Sequence, residues 1–158
     1  MTTVYRLVRA ARRDDALSGE GARRCGGRWN PPGSAVVYAS ESRALAVLET
    51  FVHLTMEART IPFLLFEITL PRRARIQRYG GRHSPRQPLS FTASQDAGRA
   101  WVDAGATLAF AVPSVLVPQE SNYVLNVRHG QFARLDLALP EPFSFDERLW
   151  RSQSQRPG

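Results

Sequence analysis

Apolar and polar residues alternate in VYRLV, residues 4–8, with the period of a half-buried strand. VVYAS, residues 36–40, is a second short β-type run. From Glu41 the period changes: Ala44, Leu45, Val47, Leu48, Phe51, Val52 and Leu54 recur at three- and four-residue spacing, which predicts a helix with Ser40 as its N-cap. IPFLLFEITL, residues 61–70, is apolar and partly alternating between Pro62 and Pro71, as suits a buried strand. SQDAGRAWVDAG, residues 94–105, predicts a short helix, and TLAFAVPSVLV, residues 107–117, splits at Pro113 into two strand-like pieces. SNYVLNV and ARLDLALPEPFSF supply further strands. The polar stretch 11–27 has loop composition toward its end, and the basic, glycine- and proline-rich stretch 72–88 reads as a long exposed loop. Strands outnumber helices and the connections are irregular. The expected fold is α/β of the α+β kind, a mixed but largely antiparallel sheet with flanking helices, in one domain over residues 1–150 and a mobile tail over 151–158.

Composition narrows the chemistry. The formal charge is +7, and all 21 basic residues are arginine. Without lysine there is no phosphate-loop lysine, no Schiff base and no lysine general base. Arginine's planar fork suits phosphate and carboxylate, so the surplus fits a phosphate-rich ligand or nucleic acid; a genome biased toward arginine codons explains it equally well. Cys25 is the single cysteine, which excludes an internal disulfide and a multi-cysteine metal site. His53, His83 and His129 show no metal-ligand spacing, and no metal is expected. No G-x-S-x-G elbow, helix-turn-helix, finger or aromatic RNA-binding signature occurs. The first residues lack a signal-peptide core and no apolar run reaches membrane-spanning length, so a cytoplasmic chain without a membrane partner is expected.

Three segments carry candidate chemistry. In GGRWNPPGSAVVYAS, residues 26–40, glycines and paired prolines form a stiff loop that holds Arg28 and Asn30 in place, either as an anion site or as a tight connection with a solvated arginine. Glu49 lies at the border of the helical apolar stripe, with His53 one turn on, so it serves either a developing cation and ribose hydroxyls or an exposed pair. In VPQESNYVLN, residues 117–126, Ser121 and Asn122 either turn the backbone or bind a phosphate or sugar. Tyr38 and Trp29 offer aromatic faces, for a ring ligand or for the core.

The ordered segments YRL, SGEGARRCGGRWNPPGSAVVYAS, ALAVLETFVHL, WVDAGATLAFAVPSVLVPQESNYVLN and PEPFSFDERL together resemble the RES-domain family, named for an arginine, a glutamate and a serine. Val127 and Gly130 depart from it, standing where members often carry prolines. The resemblance implies an ADP-ribosyltransferase-like fold and the toxin half of a bacterial RES–Xre toxin–antitoxin pair. It further implies depletion of NAD+ by hydrolysis or phosphorolysis of the nicotinamide–ribose bond. NAD+ is then substrate, inorganic phosphate a possible co-substrate, no cofactor is implied, and nucleic acid is met only through an Xre-type antitoxin. By the same resemblance Arg6 and Arg28 are the cleft arginines, Tyr38 its aromatic, Glu49 its glutamate and Ser121 its serine, with Asn122 beside it. A protein-modifying ADP-ribosyltransferase is the first alternative, and a basic module that binds nucleic acid is the second. The acceptor, the assembly stoichiometry and the role of residues 72–88 stay open.

Overall fold

A computed structural model describes residues 1–80 and 90–151. Its strands are β1 (Thr3–Arg9), β2 (Val36–Ser40), β3 (Phe63–Thr69), β4 (Ile76–Arg78), β5 (Ala109–Pro113), β6 (Ser121–Asn126), β7 (Asp136–Leu137) and β8 (Glu141–Phe143). They form one sheet in the order β4-β5-β6-β2-β1-β3-β7, with β8 also on β3. Every pairing is antiparallel except β4 with β5. Helices α1 (Glu20–Cys25), α2 (Arg43–Phe51) and α3 (Phe91–Ala104) flank it. The fold is the expected mixed α+β arrangement.

Strand alternation gives the sheet two differently covered faces. On one, α2 packs Ala46, Val47 and Phe51 on Leu7, Phe63 and Leu65, and α3 packs Trp101 on Phe110 and Val112. Tyr38 and Ser40 lie on this helix face, because Ser40 pairs with Tyr5 and shares its side. On the other, Val4, Val8, Val37, Ala39, Phe66 and Leu125 meet Ala16, Leu17 and Leu70. The two layers bury Trp101, Phe63, Phe110 and Ile68.

Four local expectations change. The N-cap of α2 is Ser42, whose hydroxyl accepts the Leu45 N–H, while Ser40 ends β2 and turns its hydroxyl elsewhere. The stretch 11–27 contains α1, which buries no residue and so shows no apolar stripe; Gly19 at φ 70° and a Glu20–Arg23 pair start it instead. The basic stretch 72–88 contributes the edge strand β4, while residues 81–89 lie outside the described residues. Beyond Pro113 the chain turns and forms no second strand piece, because the Ser114 hydroxyl accepts the N–H groups of Leu116 and Val117. Of the expected tail, residues 152–158 lie outside the described residues.

Candidate active site

Glu49 projects from α2 into a polar cluster on the helix face. Its Oε1 accepts from the Ser114 hydroxyl at 2.7 Å and from Asn122 Nδ2 at 2.6 Å. A carboxylate only accepts, so Asn122 must present its NH2 group to it and turn its carbonyl oxygen away. That oxygen accepts from Ser40 Oγ at 2.7 Å, which fixes the amide orientation. Ser114 is 2% exposed and Ser40 4%, so both hydroxyls are held inside the protein. Two donors thus immobilise one oxygen of Glu49, and Oε2 accepts no hydrogen bond among the described residues. His53 takes no part: it is exposed, and the partners of Glu49 are a serine and an asparagine.

Arg28 belongs to a second group beside the first. Gly27 and Asn30 close a two-residue turn, Gly27 N–H to Asn30 O at 2.8 Å, with Arg28 and Trp29 at its tip. The Tyr38 hydroxyl donates to Asn30 Oδ1 at 2.6 Å and accepts the Trp29 N–H at 3.0 Å. Asn30, 0% exposed, spends its amide donors on the carbonyls of Ala22, Pro31 and Ser34. A Cβ on Gly27 would stand 2.7 Å from the Tyr38 oxygen, so only glycine permits this closure. Burial pushes the Tyr38 phenol up to about 12, against the smaller opposing effect of the Trp29 N–H. Tyr38 is therefore the neutral pin under the Arg28 turn, and its ring is half-buried beside Trp29 and Val124. Along β2, Tyr38 and Ser40 are two residues apart, so the backbone positions that carry the two anchors are about 7 Å apart on one face of the sheet.

Arg28 also lies 5.8 Å from the Phe91 ring centroid, within cation–π reach. Trp29 is 4% exposed and packs edge-on to Phe110 at 5.7 Å, a core role.

Two residues expected in the cleft, Arg6 and Ser121, lie on the other face of the sheet. Arg6 alternates with Val4 and Val8 and so lies on the opposite face. Its Nε donates to Ala16 O at 2.9 Å and its Nη1 to Tyr38 O at 2.7 Å. Burial pushes its guanidinium down to about 10, with Asp15 opposing. Arg6 is thus a brace between β2 and the chain after β1. Ser121 shares the face of Tyr123 and Leu125, and its backbone N–H donates to Glu41 Oε2 at 2.8 Å. The serine on Glu49 is Ser114, and the β6 residue on Glu49 is Asn122. Sequence reasoning missed Ser114 and Ser40. The signal for Ser114 was a serine directly after a strand-ending proline, a position that favours a side-chain-to-backbone turn.

The RES domain family model matches residues 3–146. The chain is 35% identical over 150 residues to Toxin Res of Yersinia enterocolitica, covering 92% of this chain and 98% of that protein. It is 35% identical over 163 residues to the Prs ADP-ribosylating toxin of a Sphingobium species, covering 95% and 98%. Its fold matches MbcT–MbcA, a toxin–antitoxin complex of Mycobacterium tuberculosis known from a crystal structure, with TM-score 0.72 and 23% identity over 90% of this chain and 84% of that one. A 30-residue stretch, 19% of this chain and 15% of the other, is 73% identical to the NAD(+) phosphorylase MbcT.

Proposed function

The chain belongs to the RES-domain family, and from that premise we propose that it is the toxin of a toxin–antitoxin pair and cleaves the nicotinamide–ribose bond of NAD+. The observation that carries the reading is Glu49, with one carboxylate oxygen immobilised by Ser114 and Asn122 and the other unbonded among the described residues. Cleavage of an N-glycosidic bond builds positive charge on the ribose, as in other glycosyl transfers through oxocarbenium-like transition states. A carboxylate fixed in advance stabilises that charge without reorganising during the reaction. The bonding pair leaves with the pyridinium nitrogen, giving neutral nicotinamide, so no general acid is required. Arg28 holds the pyrophosphate or an attacking phosphate. Attack by phosphate at the freed ribose carbon yields a phosphorylated ADP-ribose; attack by water yields ADP-ribose and a proton.

The assignment of roles follows the geometry. Ser114 and Asn122 orient Glu49, Ser40 orients Asn122, and Tyr38 orients the Arg28 turn. The test is NAD+ consumption by the purified chain with and without phosphate, with products identified by mass spectrometry. Loss that requires phosphate identifies a phosphorylase, and loss without it a glycohydrolase. Intact NAD+ in both conditions sinks the reading.

The similarity to the Prs ADP-ribosylating toxin over 95% of the chain favours one second reading, transfer of ADP-ribose to a protein. The same carboxylate serves it, and label passing from NAD+ into a protein band distinguishes it. In either case we propose restraint by a cognate Xre-type antitoxin that covers the Glu49 and Arg28 groups. Unchanged turnover in the purified complex counts against that cover.

A further inference from the structure

Helix α3 reaches the Arg28 turn with two side chains spaced four residues apart, which places them on one helix face. Gln95 Nε2 donates to Gly27 O at 3.0 Å and to Asn30 O at 3.3 Å. These are the carbonyls of the two residues that close the turn. Phe91, 53% exposed, lies against the Arg28 guanidinium. Gly98 fixes the registration of the helix, because a Cβ there would stand 1.6 Å from Trp29 O.

We infer that Gln95 is a positioning residue: its amide clamps both ends of the turn and sets the angle at which Arg28 is presented to an anionic substrate. This rests on the reading of Arg28 as the anion-holding group. The clamp is specific to an amide NH2. One nitrogen supplies two N–H groups, one for each carbonyl, whereas a carboxylate of the same shape sets lone pairs against both. Because the turn is anchored at Tyr38 and the Glu49 cluster at Ser40, misplacing Arg28 weakens the hold on the phosphates and leaves the carboxylate cluster intact.

The experiment compares Gln95→Met, which keeps the shape and removes the donor, with Gln95→Glu, which replaces the donor by an acceptor. Expected for Gln95→Met is a KM for NAD+ raised about tenfold with kcat lowered less than about threefold, and a larger KM for Gln95→Glu. In an Arg28→Ala background Gln95→Met then changes KM less than about twofold, since both substitutions remove one interaction. Additive effects, a fall in kcat at unchanged KM, or a Gln95→Glu protein with native KM overturns the assignment. A second arm needs no turnover: hydrogen exchange at the Gly27 and Trp29 amides accelerates in both variants if the clamp holds the turn. Unchanged protection refutes it. If the unmodified chain leaves NAD+ intact, the cleavage reading fails, and the exchange arm still decides the clamp.

Discussion

Asn122 shows how one residue's chemistry is set by its neighbours. Its amide receives from Ser40 and donates to Glu49, so the donor end faces the carboxylate. Replacing Asn122 with Asp sets two carboxylates against each other and raises the pKa of one. NAD+ cleavage by that variant is expected to fall at least about a hundredfold, the loss expected also for Glu49→Gln, with the fold retained by circular dichroism. Ser114→Ala removes the other donor and costs about tenfold, whereas Ser121→Ala, on the opposite face, costs less than about twofold. Equal losses at the two serines count against the assignment. Tyr38 carries a pH signature. Its folded pKa, raised to about 12 from 10.0, contributes stability that is fully present below pH 10 and is lost as pH rises through 12. Tyr38→Phe is expected to lower stability by about 1–3 kcal/mol at pH 8, and the gap to the unmodified chain narrows above pH 10 in urea titrations. A gap that stays constant to pH 11 contradicts the buried neutral phenol.

At the scale of elements, the site depends on how α2 and α3 are started and seated. Ser42 caps α2 and also donates to Glu120 at 2.7 Å. Ser42→Ala is expected to destabilise by about 1 kcal/mol, while Ser40→Ala acts mainly on kcat through Asn122. Thermal melts and turnover measured on both variants separate the two roles. Gly98→Ala forces α3 away from the Trp29 backbone, so a loss of about 3 kcal/mol or more accompanies loss of NAD+ cleavage. A Gly98→Ala protein as stable as the parent is incompatible with this packing. β2 links the elements, pairing with β1 on one side and β6 on the other, and so carries both the pin of the Arg28 turn and the hydroxyl that orients Asn122.

Across the whole molecule, the formal charge of +7 bears on partners rather than on the fold. Exposed Arg72, Arg73, Arg75 and Arg78 lie on and beside the edge strand β4, a charged edge of the kind that resists pairing with another sheet. An acidic antitoxin would be drawn to such a surface, and its association rate is expected to fall about tenfold or more between low and physiological salt, with a much smaller change in dissociation rate. Stopped-flow mixing measures both. A salt-independent association rate removes electrostatic steering from the account.

The sequence alone determined the buried strands β1, β2, β3, β5 and β6 and the two long helices, because buried runs and three- to four-residue periodicity are local consequences of which side faces the core. It also determined the family, through ordered motifs, and these brought forward Glu49, Arg28, Tyr38 and Asn122 as candidate site residues. It did not reveal α1 or β4, which carry no hydrophobic signal: α1 buries nothing and β4 is half-buried at best. The tertiary structure decided which serine meets Glu49. Ser121 and Ser114 are equally polar and close in the chain, and only the pairing register of β5 with β6 turns Asn122 toward α2 and Ser121 away. It likewise decided that Arg6 braces two carbonyls on the opposite face, since strand alternation assigns a side only once the neighbouring strands are in place.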